Sequence, residues 1–507
     1  MAEADELVLS LLVLAPFVGG LALILVPGRQ PNTIRVIATA VTGFTFALSI
    51  YITLRHYLNA PAGVEFWPLT RVEWLPSLGI GFTLGVDGIS ALMVLLNGVV
   101  AFAGTLVAWR LPDRTKEFFV LFLLLIAGVY GVFVALDLFF FFFFYELAVI
   151  PMYLLIGVWG SSTDFRSYVP PLLFSRTKEY SAMKLTIMLS LGSVLVWVAL
   201  IALYIFAENP TFDFLSLRDN EEYSREFQLL FFPIVAVGFG VLAGLWPFHT
   251  WSPDGHVAAP TSVSMLHAGV LMKLGAYGIL RIGMDLFPQG AEAWMPVLII
   301  LATVNVVYGA ISALGQRDLK YVIGYSSVSH MGYVIMGLAT LDPLGVNGAV
   351  LQMFSHGVMT ALFFVLVGAV YDRTHIRDIG VLEGLAKRMG GTATFFAIAG
   401  LASLGLPGLS GFVAELLVFI GAFNTYPLVG VLGVFAAAVT AVYVLRLLGK
   451  VFFGPVSDRW QGLTDASRVE LAAGGLLIAF IVAIGIWPFP WIELIDGSVT
   501  ALLGRIG

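Results

Sequence analysis

Long apolar stretches recur along nearly the whole chain, each bounded by Gly, Pro or charge and each close to the length that crosses a bilayer. A spanning helix needs about 20 such residues, because every backbone N–H and C=O must be satisfied inside the segment. Fourteen of these runs can be placed between residues 7 and 490, and the longest polar intervals, 57–83 and 206–228, are too short to build a domain. The expected fold is an all-α polytopic membrane protein with about fourteen transmembrane helices. Charge supports this: only 11% of the 507 residues are charged, where a soluble domain carries roughly 25%.

Several function classes drop out. Without cysteine the chain offers no thiolate for an iron–sulfur cluster and no disulfide. Its net charge of −6 comes with no basic stripe, which excludes a nucleic-acid surface. Gly238–Phe239–Gly240 lacks the third glycine and the strand–helix context of a dinucleotide fingerprint, so close helix packing explains it. Neither a nucleophile elbow nor H-E-x-x-H occurs. The acidic start, Met1 to Glu6, is unlike a signal peptide, and the first apolar run is expected to stay as a helix.

Lysine and arginine set the expected orientation. With the first loop taken as cytoplasmic, that side gathers about three times the Lys and Arg of the other, including Arg29, Lys116, Lys320, Arg373 and Lys387. Both termini then face outward, in the plasma membrane of a bacterium. An internal echo adds organisation. Gly238–Phe239 lies in a helix running into Pro247, and Gly411–Phe412 in one broken by Leu406–Pro407–Gly408. Such discontinuous spans sit near the midplane of transporters. Five spans apart, they imply two inverted five-helix repeats, 111–285 and 286–455. A three-helix segment, 1–110, would precede them and a C-terminal helix, 456–507, would follow.

Three charges lie where charge is expensive. Glu146 falls nine residues after Asp137, roughly 13 Å into the span, and Lys273 and Glu415 reach similar depth. Each costs at least about 2.5–3.5 kcal/mol on a lipid-facing helix, so all three must line the interior, pair, or touch water. Structural pairing is the competing reading; intramembrane ionisable groups are functional by default. Low-dielectric surroundings penalise the charged forms of lysine and carboxylate alike, so the two can exchange protons near neutral pH. His267, His330 and His356 also lie within spans, and imidazole suits a relay. Lys184 sits nearer a helix end, where a relay role and snorkelling both stay open. His249 and His256 read as loop residues at a helix end. The run Phe139–Phe144 reads as lipid contact rather than a cofactor box.

The segments Phe141-Phe-Phe-Phe-Tyr-Glu-Leu147, Pro247-Phe-His-Thr-Trp251, Ala259-Pro-Thr261, Gly324 to Tyr333 and Gly405-Leu-Pro-Gly-Leu-Ser-Gly-Phe412 together resemble the antiporter-like subunits of respiratory complex I. The order holds from about residue 80 to 455. The acidic Glu415, Tyr371-Asp-Arg-Thr-His375 and Arg446 through Pro455 are most similar to the M-type (chain 4) subunit. The resemblance implies two half-channels joined by a polar axis. Glu146 would switch the first half, Lys273 would connect, and Glu415 would be the terminal site of the second. It also implies no cofactor in this chain; quinone, FMN and iron–sulfur clusters would belong to partner subunits. L- and N-type antiporter-like subunits and lipid would be its neighbours. A subunit of a cation/proton antiporter or of a membrane-bound hydrogenase complex is the alternative, and a structural spacer that has lost transport is the third reading.

One departure stands out. Relatives carry a lysine in the first broken helix as ion-pair partner of the position matching Glu146, and here that position is Leu242, with no lysine in 226–272. Glu146 loses its usual counter-charge. Either His267 takes over the missing lysine's proton, or the first half-channel is silent.

Overall fold

The computed structural model describes residues 2–61, 63–111, 113–166, 173–220 and 223–506. In chain order its helices begin with α1 (Ala2–Leu25), α2 (Pro31–Asn59), α3 (Gly88–Val107), α4 (Thr115–Val134) and α5 (Leu138–Trp159). Next come α6 (Lys178–Phe206), the short α7 (Phe214–Asn220), α8 (Arg225–Ala243) and α9 (Trp251–Ala258). The central set is α10 (Thr261–Met284), α11 (Pro288–Gly315), α12 (Leu319–Ala339) and α13 (Pro343–Thr374). The chain closes with α14 (Gly390–Ser403), α15 (Ser410–Thr425), α16 (Pro427–Val451), α17 (Arg468–Ile486) and α18 (Phe489–Ile506). Among the described residues, 13 spans are long and apolar enough to cross a membrane, α8 and α9 counting as one. The shorter pair α14 and α15 supplies a further crossing, in keeping with the expected fourteen.

Many spans start at an aspartate. Asp87 accepts from Ser90 N at 2.8 Å, Asp137 from Phe139 N and Phe140 N at 3.0 Å, Asp318 from Lys320 N at 2.8 Å and Asp342 from Leu344 N at 2.9 Å. A first turn has N–H groups with no partner inside the helix, and these carboxylates satisfy them where lipid cannot.

Burial divides the spans sharply. The apolar windows of α10 and α13 are wholly buried and that of α12 is 94% buried, against 28% for α17 and 33% for α2 and α16. Small residues select the inner set, because without a side chain two backbones can approach closely. A Cβ on Gly357 of α13 would lie 2.6 Å from the Gly269 carbonyl of α10, and one on Gly275 would lie 2.4 Å from Ala243 N of α8. Two stretches of α10, His267–Leu271 and Ile279–Met284, are wound as π-turns. Such turns gather at functional sites, and these bracket Lys273.

The breaks differ from the expectation in one respect. α8 stops at Ala243, before Pro247, because Gly244 takes φ +75 and its N–H closes back onto Gly240 O. In the other broken span Gly405 takes φ +73 and Gly408 φ +93, on either side of Pro407. The matching feature is thus Gly244–Leu245 against Gly405–Leu406. Gly238–Phe239 precedes its break and Gly411–Phe412 follows its own, so that dipeptide does not mark equivalent positions.

Other corrections concern the segments between spans. The interval 57–83 contains strand β1 (Leu69–Leu75), paired antiparallel with β2 (Ile80–Gly85). A second hairpin joins β3 (Thr163–Arg166) to β4 (Leu173–Arg176). The phenylalanine run packs more than it faces lipid. Phe141 and Phe144 are buried, Phe142 stacks on Trp197 with centroids 4.6 Å apart, and Phe140 meets Phe82 edge-on at 5.2 Å. Of the six, Phe143 is the broadly exposed one.

The C-terminal segment holds two helices rather than one. α18 is amphipathic, burying Ile495, Val499 and Leu502 while leaving Phe489 68% exposed. It docks on the start of α3, where a Cβ on Gly88 would fall 1.8 Å from Leu494 O. Gly88→Ala should therefore displace α18 at a cost of about 1–3 kcal/mol. Trypsin should then cut at Arg505 faster than in the unsubstituted protein; an unchanged cleavage rate would contradict this docking.

Candidate functional site

Four titratable side chains from four helices meet in the buried centre. Lys273 of α10 is fully buried, and its ammonium donates to the Ala268 carbonyl and to His356 Nδ1 of α13, the latter at 2.9 Å. The Ala268 carbonyl is reachable because it lies in the π-turn just before Lys273. The His356 ring stacks on His330 of α12, with centroids 5.4 Å apart and planes 24° apart. His330 Nδ1 then faces Glu415 Oε1 of α15 at 3.3 Å and the Gln352 side-chain amide at 3.2 Å, while Nε2 meets Ser403 Oγ at 3.1 Å. Sequence reasoning named all four of these groups, and the fold places them in one file. Gln352 and Ser403 were not named, because a neutral polar residue in a span gives no signal of its own.

A branch leaves this file near Lys273. His267 has a centroid 4.1 Å from that of His256 and stacks on Trp251 at 5.4 Å. Neither nitrogen of His267 has a hydrogen-bond partner among the described residues, nor does His256 Nδ1; buried imidazole nitrogens of this kind call for water. The loop reading of His256 fails: α9 continues the crossing beyond the break, and His256 is fully buried with Nε2 3.0 Å from Ser252 Oγ. His249 is likewise buried, in a short 3₁₀ turn beside Tyr308.

Lys184 is tied down rather than snorkelling. Its ammonium donates to Asp254 Oδ2 at 2.8 Å and to Thr250 O at 2.9 Å. Asp254 also accepts from Arg176 and, at 3.0 Å, from the Tyr321 hydroxyl. Asp254 and the buried Lys320, which donates to Ala259 O at 2.8 Å, were missed as site residues. Both sit where an apolar run gives way to polar residues, and there a charge looks solvated.

Glu146 stands apart. It is half-buried on α5, with Ser193 of α6 beside its carboxylate. Among the described residues no ion pair, ring contact or hydrogen bond joins it to the file, and Leu242, fully buried near the end of α8, brings no counter-charge. Pro247, Pro407 and Gly408 lie at the two helix breaks, as expected.

A second buried charge network closes the opposite end of α10. Arg281 reaches Asp87 at 2.5 Å and Asp285 at 3.2 Å; Arg505 of α18 reaches Asp285 at 2.6 Å and Glu65 at 3.1 Å. A cavity of about 550 Å³ opens beside it, lined by Arg218, Arg225, Gln228, Asp285 and Arg505. Burial disfavours the Asp87 carboxylate, yet the Arg281 guanidinium and the Ser90 N–H hold it below the usual carboxylate range. At Asp285 burial prevails over Arg281, Arg505 and Arg218 and pushes the carboxyl up. Asp285 is therefore the partner that tolerates neutrality. Asp87→Asn should cost about 3–5 kcal/mol, the price of breaking a buried pair, and Asp285→Asn clearly less. Thermal unfolding of the two purified variants checks the order; equal losses would contradict it.

Among the described residues, no group of three or more His, Cys, Asp or Glu is placed to hold a metal ion. A family model described as NADH:quinone oxidoreductase/Mrp antiporter, TM, matches residues 135–440. The chain is 36% identical over 504 residues to NAD(P)H-quinone oxidoreductase chain 4 1 of Synechococcus elongatus, covering 98% of this chain and 91% of that protein. It is 34% identical to NAD(P)H-quinone oxidoreductase chain 4 of Gloeobacter violaceus, covering 95% and 89%. Among solved structures it superposes on a chain of respiratory complex I from Thermus thermophilus with a TM-score of 0.86 and 28% identity, covering 98% of this chain and all of that one. A chain of the Mrp complex from a Dietzia species shares the fold, with a TM-score of 0.83, 20% identity and 99% of each chain covered.

Proposed function

Because the chain belongs to the NADH:quinone oxidoreductase/Mrp antiporter transmembrane family, we propose that it is a proton-translocating subunit of a complex I-type NADH:quinone oxidoreductase. The observation that carries this reading is the file Lys273–His356–His330–Glu415, joined by a hydrogen bond, a ring stack and a 3.3 Å approach of His330 Nδ1 to Glu415 Oε1. The Lys273 ammonium gives a proton to His356 Nδ1, and His356 releases one from Nε2, which has no hydrogen-bond partner among the described residues. Water carries that proton to His330, whose Nδ1 hands it on to Glu415. Glu415 lies against the break between α14 and α15, where Gly405 comes close to its Oε2. That position suits release on the outer side. Lys273 is recharged by the next proton, each acceptor returns to its starting charge when it passes its proton on, and each imidazole turns to restore its starting tautomer, so a completed cycle leaves the charge of the file unchanged.

The chain itself carries no redox group in this account. Electron transfer takes place in partner subunits that hold FMN, iron–sulfur clusters and quinone, and L- and N-type antiporter-like subunits flank this one in the membrane. The driving event is a charge shift in a neighbour, transmitted through contacts and water. The assembly sits in a bacterial energy-transducing membrane, with both termini of this chain outside. We assign His267 to the central file through His256, since its ring packs there and not beside Glu146.

Vesicles containing the native complex test the reading. Glu415→Gln should lower proton uptake per quinone reduced while the complex still assembles and turns over. Glu146→Gln should have the smaller effect, because its carboxylate is detached from the file. If neither substitution changes uptake, the pumping role is wrong.

A further inference from the structure

With Leu242 in place of a titratable group and Glu146 isolated, the file needs a source of protons other than the first half-channel. A cavity of about 300 Å³ lies on the face richer in Lys and Arg, between the inner ends of α3, α10, α12, α13 and α17. Trp109, Ala259, Ser262, Lys320, Asp372 and Glu470 form part of its wall. That volume holds several waters, and Asp372 and Glu470, with Lys320 and Arg110 on the same wall, give them polar partners. Lys320 is the innermost titratable group. It is 4% exposed, and its ammonium donates to Ala259 O at 2.8 Å and lies 3.4 Å from Val257 O. Those two carbonyls follow His256 in the chain, so the Lys320 ammonium sits at the end of α9, the helix that carries His256. His256 in turn packs on His267.

We infer that protons enter in the middle of the subunit, from this cavity through Lys320 to His256, and join the central file there without using Glu146. The Lys320 ammonium releases a proton through water to His256 Nδ1, which has no hydrogen-bond partner among the described residues, and recovers one from water in the cavity. Asp372, on the same wall, attracts the incoming proton to the mouth. This inference rests on the proton-translocating reading above.

The test again uses vesicles of the native complex and compares Lys320→Arg, Ala369→Trp and Glu415→Gln. Arginine keeps the charge and can still bond Ala259 O, but it does not release a proton. A merely structural Lys320 would therefore be rescued, whereas a relay would not. Lys320→Arg should lower proton uptake per quinone reduced to the level of Glu415→Gln. Ala369→Trp fills the cavity from its wall without altering a titratable group, and should do the same even if the Lys320 variant fails to assemble. Normal uptake in Ala369→Trp or in an assembled Lys320→Arg overturns the inlet. If Glu415→Gln alone lowers uptake, the pumping role stands and the inlet falls; if Glu415→Gln is also normal, the pumping role falls first.

Discussion

Charge at bilayer depth costs at least about 2.5–3.5 kcal/mol per group on a lipid-facing helix, and the arrangement of this protein follows from where that cost is avoided. The helices that carry Lys273, His330 and His356 are the ones withdrawn almost completely from the lipid-facing surface. They can be withdrawn because glycines such as Gly269, Gly275 and Gly357 let their backbones touch. Lipid is left to α2, α16 and α17, whose windows are mostly exposed. The fold thus withdraws the spans that bear Lys273, His330 and His356, and the small residues make this sterically possible.

The two halves of the chain are not equivalent in chemistry. In the second half, Glu415 lies beside a glycine-broken helix and contacts His330. In the first, the corresponding break at Gly244 follows Leu242, and Glu146 has Ser193 beside it rather than a base. What the first half retains is the Asp254 cluster, with Lys184, Arg176 and Tyr321 on one carboxylate. That cluster fixes the start of α9, and α9 in turn carries His256 into the centre. The outer end of α10 is held by the Arg281 network, which α18 completes through Arg505.

Much of this was legible in the sequence, for a definite reason. Lys273, His330, His356 and Glu415 each interrupt an apolar run, and an interruption of that kind has few explanations. The same logic placed Pro247 and Pro407 at breaks. It failed where a span begins or ends, because there charge is ordinary: His256 read as a loop residue, Lys320 as a charge of the cytoplasmic side, and Asp87 and Asp254 drew no reading, yet each is buried. The phenylalanine run misled for a related reason. An apolar helix suits lipid and protein equally, and only the partners Trp197 and Phe82 decide which. α18 escaped notice because its apolar residues fall on one face, giving an interfacial pattern rather than a run.

In the proposed mechanism Lys273 and Glu415 act in one file through two histidines. A double-substitution cycle on proton uptake per quinone reduced, with Lys273→Met, Glu415→Gln and both together in the assembled complex, addresses it most directly. A single file predicts that the double variant pumps no worse than the poorer single one, since one break already stops the flow. Losses that multiply in the double variant would show two independent routes and contradict the account.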